Sequence, residues 1–286
     1  MKALEGKNVI ITGGSLGIGL AVAKKCVEDG ARVAIGARNE TDLANALEEL
    51  NGIAPGQISH KLDVADDASV AAFVAHCEKE MGALHGLVNC AGIYGPIGAT
   101  PNVDLGAFVQ AIQVNFLGTV RMCQVVAPKL VANAEGKKKI VNFSGGGAAS
   151  PFPNYSAYAT SKVAIVRFTE NLSLELADDG VEVNCIAPGF VVTRLHQQTA
   201  AAGADAAGAG FFEKTQKMVE DGGVPPDKAA NLSAMLLSSV GNGITGKFLA
   251  APWDAWDQPE FRERLMNEKN FCTLRRIDDK GFFEKK

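Results

Sequence analysis

Tyr158 and Lys162 stand four residues apart in Tyr158-Ala159-Thr160-Ser161-Lys162, a spacing that places both side chains on one face of a helix. A phenol ordinarily holds its proton up to about pH 10. A neighbouring ammonium favours the phenolate, so the pair can move a proton to or from a substrate oxygen near neutral pH. Such a spacing is common by chance, and it gains meaning only beside a group that could accompany proton transfer.

That group is announced near the N-terminus. Thr12-Gly13-Gly14-Ser15-Leu16-Gly17-Ile18-Gly19 separates an apolar strand-like run from a helical pattern. Glycines at such a turn let the backbone approach a pyrophosphate, whose charge is met by the helix N-terminus. The spacing is GxxxGxG, not the commoner GxGxxG, and it points to a dinucleotide site. About twenty residues on, the second strand ends at Ala37-Arg38. A carboxylate there would accept the ribose hydroxyls of NAD. Ala37 supplies none, and Arg38 offers a fork to a 2′-phosphate unless it is only a solvated surface residue. The expected cofactor is NADP(H) ahead of NAD(H).

Both motifs need elements to hold them. Strands are expected over residues 8–11, 32–35, 57–62, 86–89, 139–143, 181–186 and 247–250, and helices over 17–29, 41–50, 66–81, 104–131 and 156–177. Short Val- and Ile-rich runs separated by amphipathic helices mean a parallel sheet covered on both faces. The fold class is therefore α/β, a single doubly wound parallel sheet of Rossmann type in three αβα layers, with ligands beyond the carboxyl ends of the strands. The domain is placed at residues 1–250, with a flap over 195–225, and residues 251–286 form a C-terminal extension. The segment Thr199-Ala200-Ala201-Ala202-Gly203 through Gly210 is almost all Ala and Gly, and reads as a mobile active-site flap in preference to a linker.

The chain has 286 residues, 47% of them hydrophobic and 21% charged, with a formal net charge of −4. That composition supports a large core, and gives no electrostatic reason to expect nucleic acid as a partner. No apolar run is long enough to span a membrane. The six cysteines (Cys26, Cys77, Cys90, Cys123, Cys185, Cys272) form no CxxC pair and no zinc-spaced group with histidine, so no metal site is expected and buried reduced thiols are. A cytoplasmic protein is the expectation.

Taken in order, TGGSLGIG, Asp63-Val64, Asn89-Cys90-Ala91-Gly92, Asn115 in VNFLG, Ser144 after IVNF, Tyr158 with Lys162, and Pro188-Gly189 with Thr193 make the sequence similar to the short-chain dehydrogenase/reductase superfamily over about residues 5–195. The resemblance implies an NAD(P)-dependent oxidoreductase that interconverts a secondary alcohol and a ketone, with Tyr158 as acid/base. Lys162 would hold the nicotinamide ribose and lower the tyrosine pKa, and Asn115 would support a water-linked proton relay. Gly13, Ser15, Leu16, Gly17, Ile18 and Gly19 would cradle the cofactor phosphates, Asp63 and Val64 would flank the adenine, and Asn89, Ala91 and Gly92 would line the cofactor. Pro188, Gly189, Val191 and Thr193 would meet the nicotinamide. A homodimer or homotetramer is also implied, through the helices expected over 104–131 and 156–177.

The chain departs from that pattern twice. The family usually carries its catalytic serine thirteen residues before the tyrosine, and here that position is Gly145. Ser144 lies one residue earlier. A one-residue slip turns a strand side chain to the other face, but the glycine run 145–147 admits unusual backbone angles through which Ser144 would still reach the substrate oxygen. Ser144 is accordingly the candidate catalytic serine, with Ser150 and Ser156 as substitutes. The C-terminus departs too, running through Trp253 and Trp256 into a charged tail. The tryptophans either stack on a substrate ring or pack the extension onto the domain or a neighbouring subunit, and packing is preferred. Two other functions stay open: an epimerase or dehydratase with retained cofactor, and a catalytically inactive NADP-binding regulator. The substrate is a small carbonyl or alcohol compound. His196, Gln197 and Gln198 offer it hydrogen bonds, and Phe152, Phe211 and Phe212 offer it apolar walls.

Overall fold

The computed structural model describes residues 2–278 and 281–282. Seven strands pair in parallel in the order β3-β2-β1-β4-β5-β6-β7: β1 Asn8–Thr12, β2 Arg32–Ala37, β3 Ile58–Lys61, β4 Gly86–Asn89, β5 Lys138–Phe143, β6 Val181–Ala187 and β7 Phe248–Ala250. Every residue of β4, β5 and β6 is buried, as central strands covered on both faces must be. The order reverses between β1 and β4, so a crevice opens at their carboxyl ends.

Helices α1 (Gly17–Glu28) and α2 (Glu40–Ile53) cover one face with α9 (Pro226–Leu237). Val22, Cys26, Leu43, Leu50, Leu232 and Leu236 fill the space between them. The other face is covered by α3 (Asp67–Met81), α5 (Gly118–Ala132) and α6 (Ser156–Glu175). Helix α4 (Leu105–Ile112) precedes α5, and the single helix expected over 104–131 is interrupted: residues Gln113–Leu117 form a π-helical turn. Such a turn re-aims the side chains it carries, and this one carries Asn115.

The Ala/Gly stretch is also not an open loop. It forms α7 (Arg194–Ala207), broken at Gly203 (φ 79°), and leads into α8 (Ala209–Glu220). Alanine favours helix strongly enough that glycines end the segments without abolishing them.

After β7 the chain packs on its own domain. The buried Lys247 ammonium donates to the carbonyls of Glu268 (2.7 Å), Lys269 (3.2 Å) and Phe271 (3.1 Å), just beyond α10 (Pro259–Asn267), where a cation suits the carbonyl-rich helix end. The Phe248 N–H donates to the Cys272 carbonyl at 2.8 Å. Residues Ile277–Asp278 and Gly281–Phe282 pair as a two-stranded ladder, β8 and β9. The rest of the tail, 279–280 and 283–286, lies outside the described residues.

Candidate active site

Helix α1 begins without a side-chain cap, because its N-cap is Leu16. By contrast α2, α3 and α4 are capped by Asn39, Asp66 and Asp104. The uncapped end faces a cavity of about 910 Å³ lined by Gly13, Ser15, Leu16, Gly17, Ile18 and Gly19, by Arg38, Asp63 and Val64, and by Ala91, Gly92 and Thr193. Glycine is required within the loop: a Cβ at Gly19 would lie 2.1 Å from the Gly13 carbonyl oxygen. The cavity's volume, its glycine cradle and the helix N-terminus that faces it fit a dinucleotide.

Asn39, Asp42, Cys90, Ile93, Val114 and Arg194 also line this cavity and escaped the sequence reading. Asn39 and Cys90 were recoverable as immediate neighbours of Arg38 and Ala91. Arg194 pairs with Asp42 at 2.8 Å, a contact between α7 and α2 that no local pattern announces. Two expectations need correcting. Asn89 does not line the cavity: it is buried in the sheet, where its amide donates to Asn142 Oδ1 at 2.9 Å. Gln197 and Gln198 line this cavity and not a substrate pocket. The His196 side chain lies outside those described.

A second cavity, of about 260 Å³, adjoins the first through the shared Ile18 and Thr193. Pro188, Gly189 and Val191, expected at the nicotinamide, line this second space, together with Tyr94, Phe152, Tyr158, Phe190, Phe211 and Trp253. Tyr158 is thus on the wall of the second cavity, which the first adjoins. Its ring packs edge-on to Tyr94, centroids 4.9 Å apart. Phe211 reaches the cavity from α8, and Tyr155 at the start of α6 donates to Thr199 Oγ1 of α7 at 2.9 Å, fastening α7 and α8 over the site. The glutamines and His196 aside, the expected apolar walls Phe152 and Phe211 are in place, while Phe212 packs behind them on the same cluster.

Lys162 lies on the same helix face as Tyr158, with its Nζ 5.5 Å from the tyrosine ring centroid, but it donates to the Phe143 carbonyl at 2.9 Å. Burial pushes its ammonium down to about 8. Burial likewise pushes the Tyr158 phenol up, with the Cys90 thiol acting in the same direction. The lowering expected from Lys162 does not appear in this arrangement: burial, which disfavours the phenolate, sets the direction of the shift. The phenol is held protonated at neutral pH.

Ser144 is also corrected. Its buried Oγ donates to the Lys162 carbonyl at 2.9 Å, on the far side of the strand from the cavity, so the regular strand alternation prevails over the glycine run. Gly145 faces the site instead, and a Cβ there would lie 2.7 Å from the Tyr158 hydroxyl. Asn115 is fully buried, accepting from the Ile93 N–H (2.8 Å) and donating to the Ile93 carbonyl (2.8 Å) and Ser161 Oγ (2.9 Å). Its side chain thus clamps the segment after β4 onto α6.

The two tryptophans divide. Trp256 donates its indole N–H to the Ala251 carbonyl at 2.9 Å and packs against the core, whereas Trp253 is 71% exposed at the rim of the second cavity. Among the described residues no group of three or more His, Cys, Asp or Glu is placed to hold a metal ion. None of the helices among them is long and apolar enough to cross a membrane.

Comparison with known proteins bears on this arrangement. A family model described as short chain dehydrogenase matches residues 7–203. A short chain dehydrogenase of Monascus purpureus is 31% identical over 268 residues, covering 92% of this chain and 86% of that protein. Dehydrogenase/reductase SDR family member 4 of Sus scrofa is 29% identical over 249 residues, 86% of each. Among solved structures, an actinorhodin polyketide ketoreductase with NADPH superimposes with a TM-score of 0.77 at 27% identity, over 85% of this chain and 95% of that one.

Proposed function

The chain belongs to the short chain dehydrogenase family, and on that footing we propose that it is a nicotinamide-dependent oxidoreductase interconverting a secondary alcohol and a ketone, with Tyr158 as acid/base and NADP(H) as its preferred cofactor. The observation that carries this reading is the position of Tyr158 on the wall of a smaller, largely apolar cavity that adjoins a dinucleotide-sized one through Ile18 and Thr193. When bound, the cofactor supplies or takes up the hydride. The glycine loop and the α1 N-terminus hold its phosphates, while Ala91, Gly92 and Thr193 lie along its course. Tyr158 gives its proton to the ketone oxygen during reduction and recovers one from the alcohol during oxidation. A phenol kept protonated by burial is in the form that the reduction step uses.

Several features support NADP(H). Arg38 is exposed on the cavity wall, and Ala37 leaves no carboxylate at the end of β2. Of the cavity's carboxylates, Asp42 is paired with Arg194 and Asp63 accepts from the Ala65 N–H at 2.9 Å. The similar ketoreductase was solved with NADPH. A homo-oligomer is part of the same reading, and Leu105 (73% exposed) and Val109 of α4 offer it an apolar face.

One observation favours a second reading, an inactive cofactor-binding regulator: among the described residues no serine lines the cavity that Tyr158 faces. Losing one oxyanion donor slows comparable enzymes by about 10²–10³, a deficit that leaves turnover measurable. Titration with NADPH and NADH, followed by a panel of ketones, tests the proposal. Tighter NADPH binding with ketone-dependent consumption is expected. Binding of neither nucleotide overturns it.

A further inference from the structure

We infer that the substrate is an aryl ketone, one aromatic ring or two fused, gripped by Trp253 at the rim of the second cavity; this rests on the oxidoreductase reading above. Among the described residues no charged side chain lines that cavity; the rings of Tyr94, Phe152, Phe190, Phe211 and Trp253 stand on its walls beside the glycines 145–147, and its only side-chain hydroxyls are those of Tyr94, Tyr158 and Thr193. A sugar or polyol carries more hydroxyls than these few side-chain partners can meet, at a cost for each polar group left unpaired. An apolar cavity of about 150 Å³ accommodates a benzene ring, so about 260 Å³ suits a one- or two-ring compound.

Trp253 is the specific element. A tryptophan 71% exposed gives up the burial that such a ring normally gains, and Trp256, three residues on, shows the ordinary alternative. Its backbone is fixed. The Trp253 N–H donates to the Ala250 carbonyl at 3.2 Å, and the Ala250 N–H donates to Asp254 Oδ2 at 2.7 Å. The turn rests on the cavity wall where Gly189 meets Pro252: a Cβ at Gly189 would fall 2.8 Å from Pro252 Cγ. A rigid turn thus presents an uncovered indole at the rim of the cavity that Phe152 and Phe211 also line. An aromatic substrate would cover it and place its carbonyl toward Tyr158.

The test pairs binding with turnover on the full chain. Calorimetric titration with 2-naphthol and cyclohexanol should show 2-naphthol binding at least about tenfold tighter. Trp253→Ala should lose about tenfold for 2-naphthol, Trp253→Phe should recover most of it, and Tyr158→Phe should still bind. In turnover, 1-tetralone should exceed cyclohexanone and fructose in kcat/KM, with Trp253→Ala raising KM far more than it lowers kcat. Equal binding of the two alcohols, no effect of Trp253→Ala, or fructose as the better substrate overturns the aryl assignment and leaves the oxidoreductase reading standing. Tight 2-naphthol binding with no reduction of any ketone overturns the oxidoreductase reading itself, and the substrate assignment with it. Should Trp253→Ala instead change the sedimentation mass while sparing 2-naphthol affinity, the indole belongs to an interface between copies and the inference fails.

Discussion

The Tyr158 hydroxyl lies directly over Gly145, 2.7 Å from where a first side-chain carbon would stand. The glycine therefore does more than omit a serine. It leaves the space that the tyrosine oxygen occupies, and the two residues are sterically coupled.

Restoring the family's serine at this position should consequently harm the enzyme. Gly145→Ser, and equally Gly145→Ala, is expected to lower kcat by about tenfold or more, because a contact of 2.7 Å must push the phenol from its place and small misplacements of reacting groups are costly. Steady-state kinetics decides the matter. A rise in kcat for Gly145→Ser would show that the tyrosine moves aside and that a missing hydroxyl limits the rate.

Ser144→Ala should leave kcat and KM unchanged, since its Oγ serves the Lys162 carbonyl and not the cavity. The loss of one buried hydrogen bond should appear instead as about 1 kcal/mol of stability in denaturant melts. A tenfold fall in kcat with stability intact would return Ser144 to the chemistry.

Arg38→Ala should weaken NADPH by about tenfold to a hundredfold, the value of charge-assisted hydrogen bonds to a phosphate. NADH binding should change less than about threefold. Equal losses for both nucleotides, measured by fluorescence titration, would show that Arg38 does not read the 2′-phosphate.

Lys162 gives a pH-dependent signature. Burial lowers its pKa to about 8 from 10.5, so between these values the unfolded chain binds the proton that the folded one has released. Stability referred to this group therefore rises with pH across that window and is lost as pH falls through 8. Comparison with Lys162→Met cancels the buried thiols, which titrate with the opposite sign. The wild type should gain up to about 3 kcal/mol on the variant between pH 7 and pH 10. A constant difference would mean that the ammonium is not desolvated.

Much of this was legible in the residues. The strand runs found their places within a residue or two, because β-branched stretches buried on both faces leave little choice. The glycine loop, Arg38 and the Tyr158–Lys162 pair are local signals, and each lands on a cavity wall or on the helix face beside it. What the sequence concealed is set by distant contacts. The sense of the Tyr158 shift depends on how deeply α6 is desolvated. The interruption at Asn115 depends on its bonds to Ile93 and Ser161. The separate fates of Trp253 and Trp256 depend on where the turn after β7 meets Gly189. Ser144 was misplaced by allowing the glycine run more freedom than the flanking strand pairing permits.

The central claim is that the Tyr158 phenol delivers the proton, and Tyr158→Phe tests it most directly, since the ring contacts with Tyr94 and Phe152 survive the change. Turnover should fall by about 10³ or more, within the range a general acid contributes, while the NADPH Kd stays within about threefold of wild type. Turnover within tenfold of wild type would contradict the assignment.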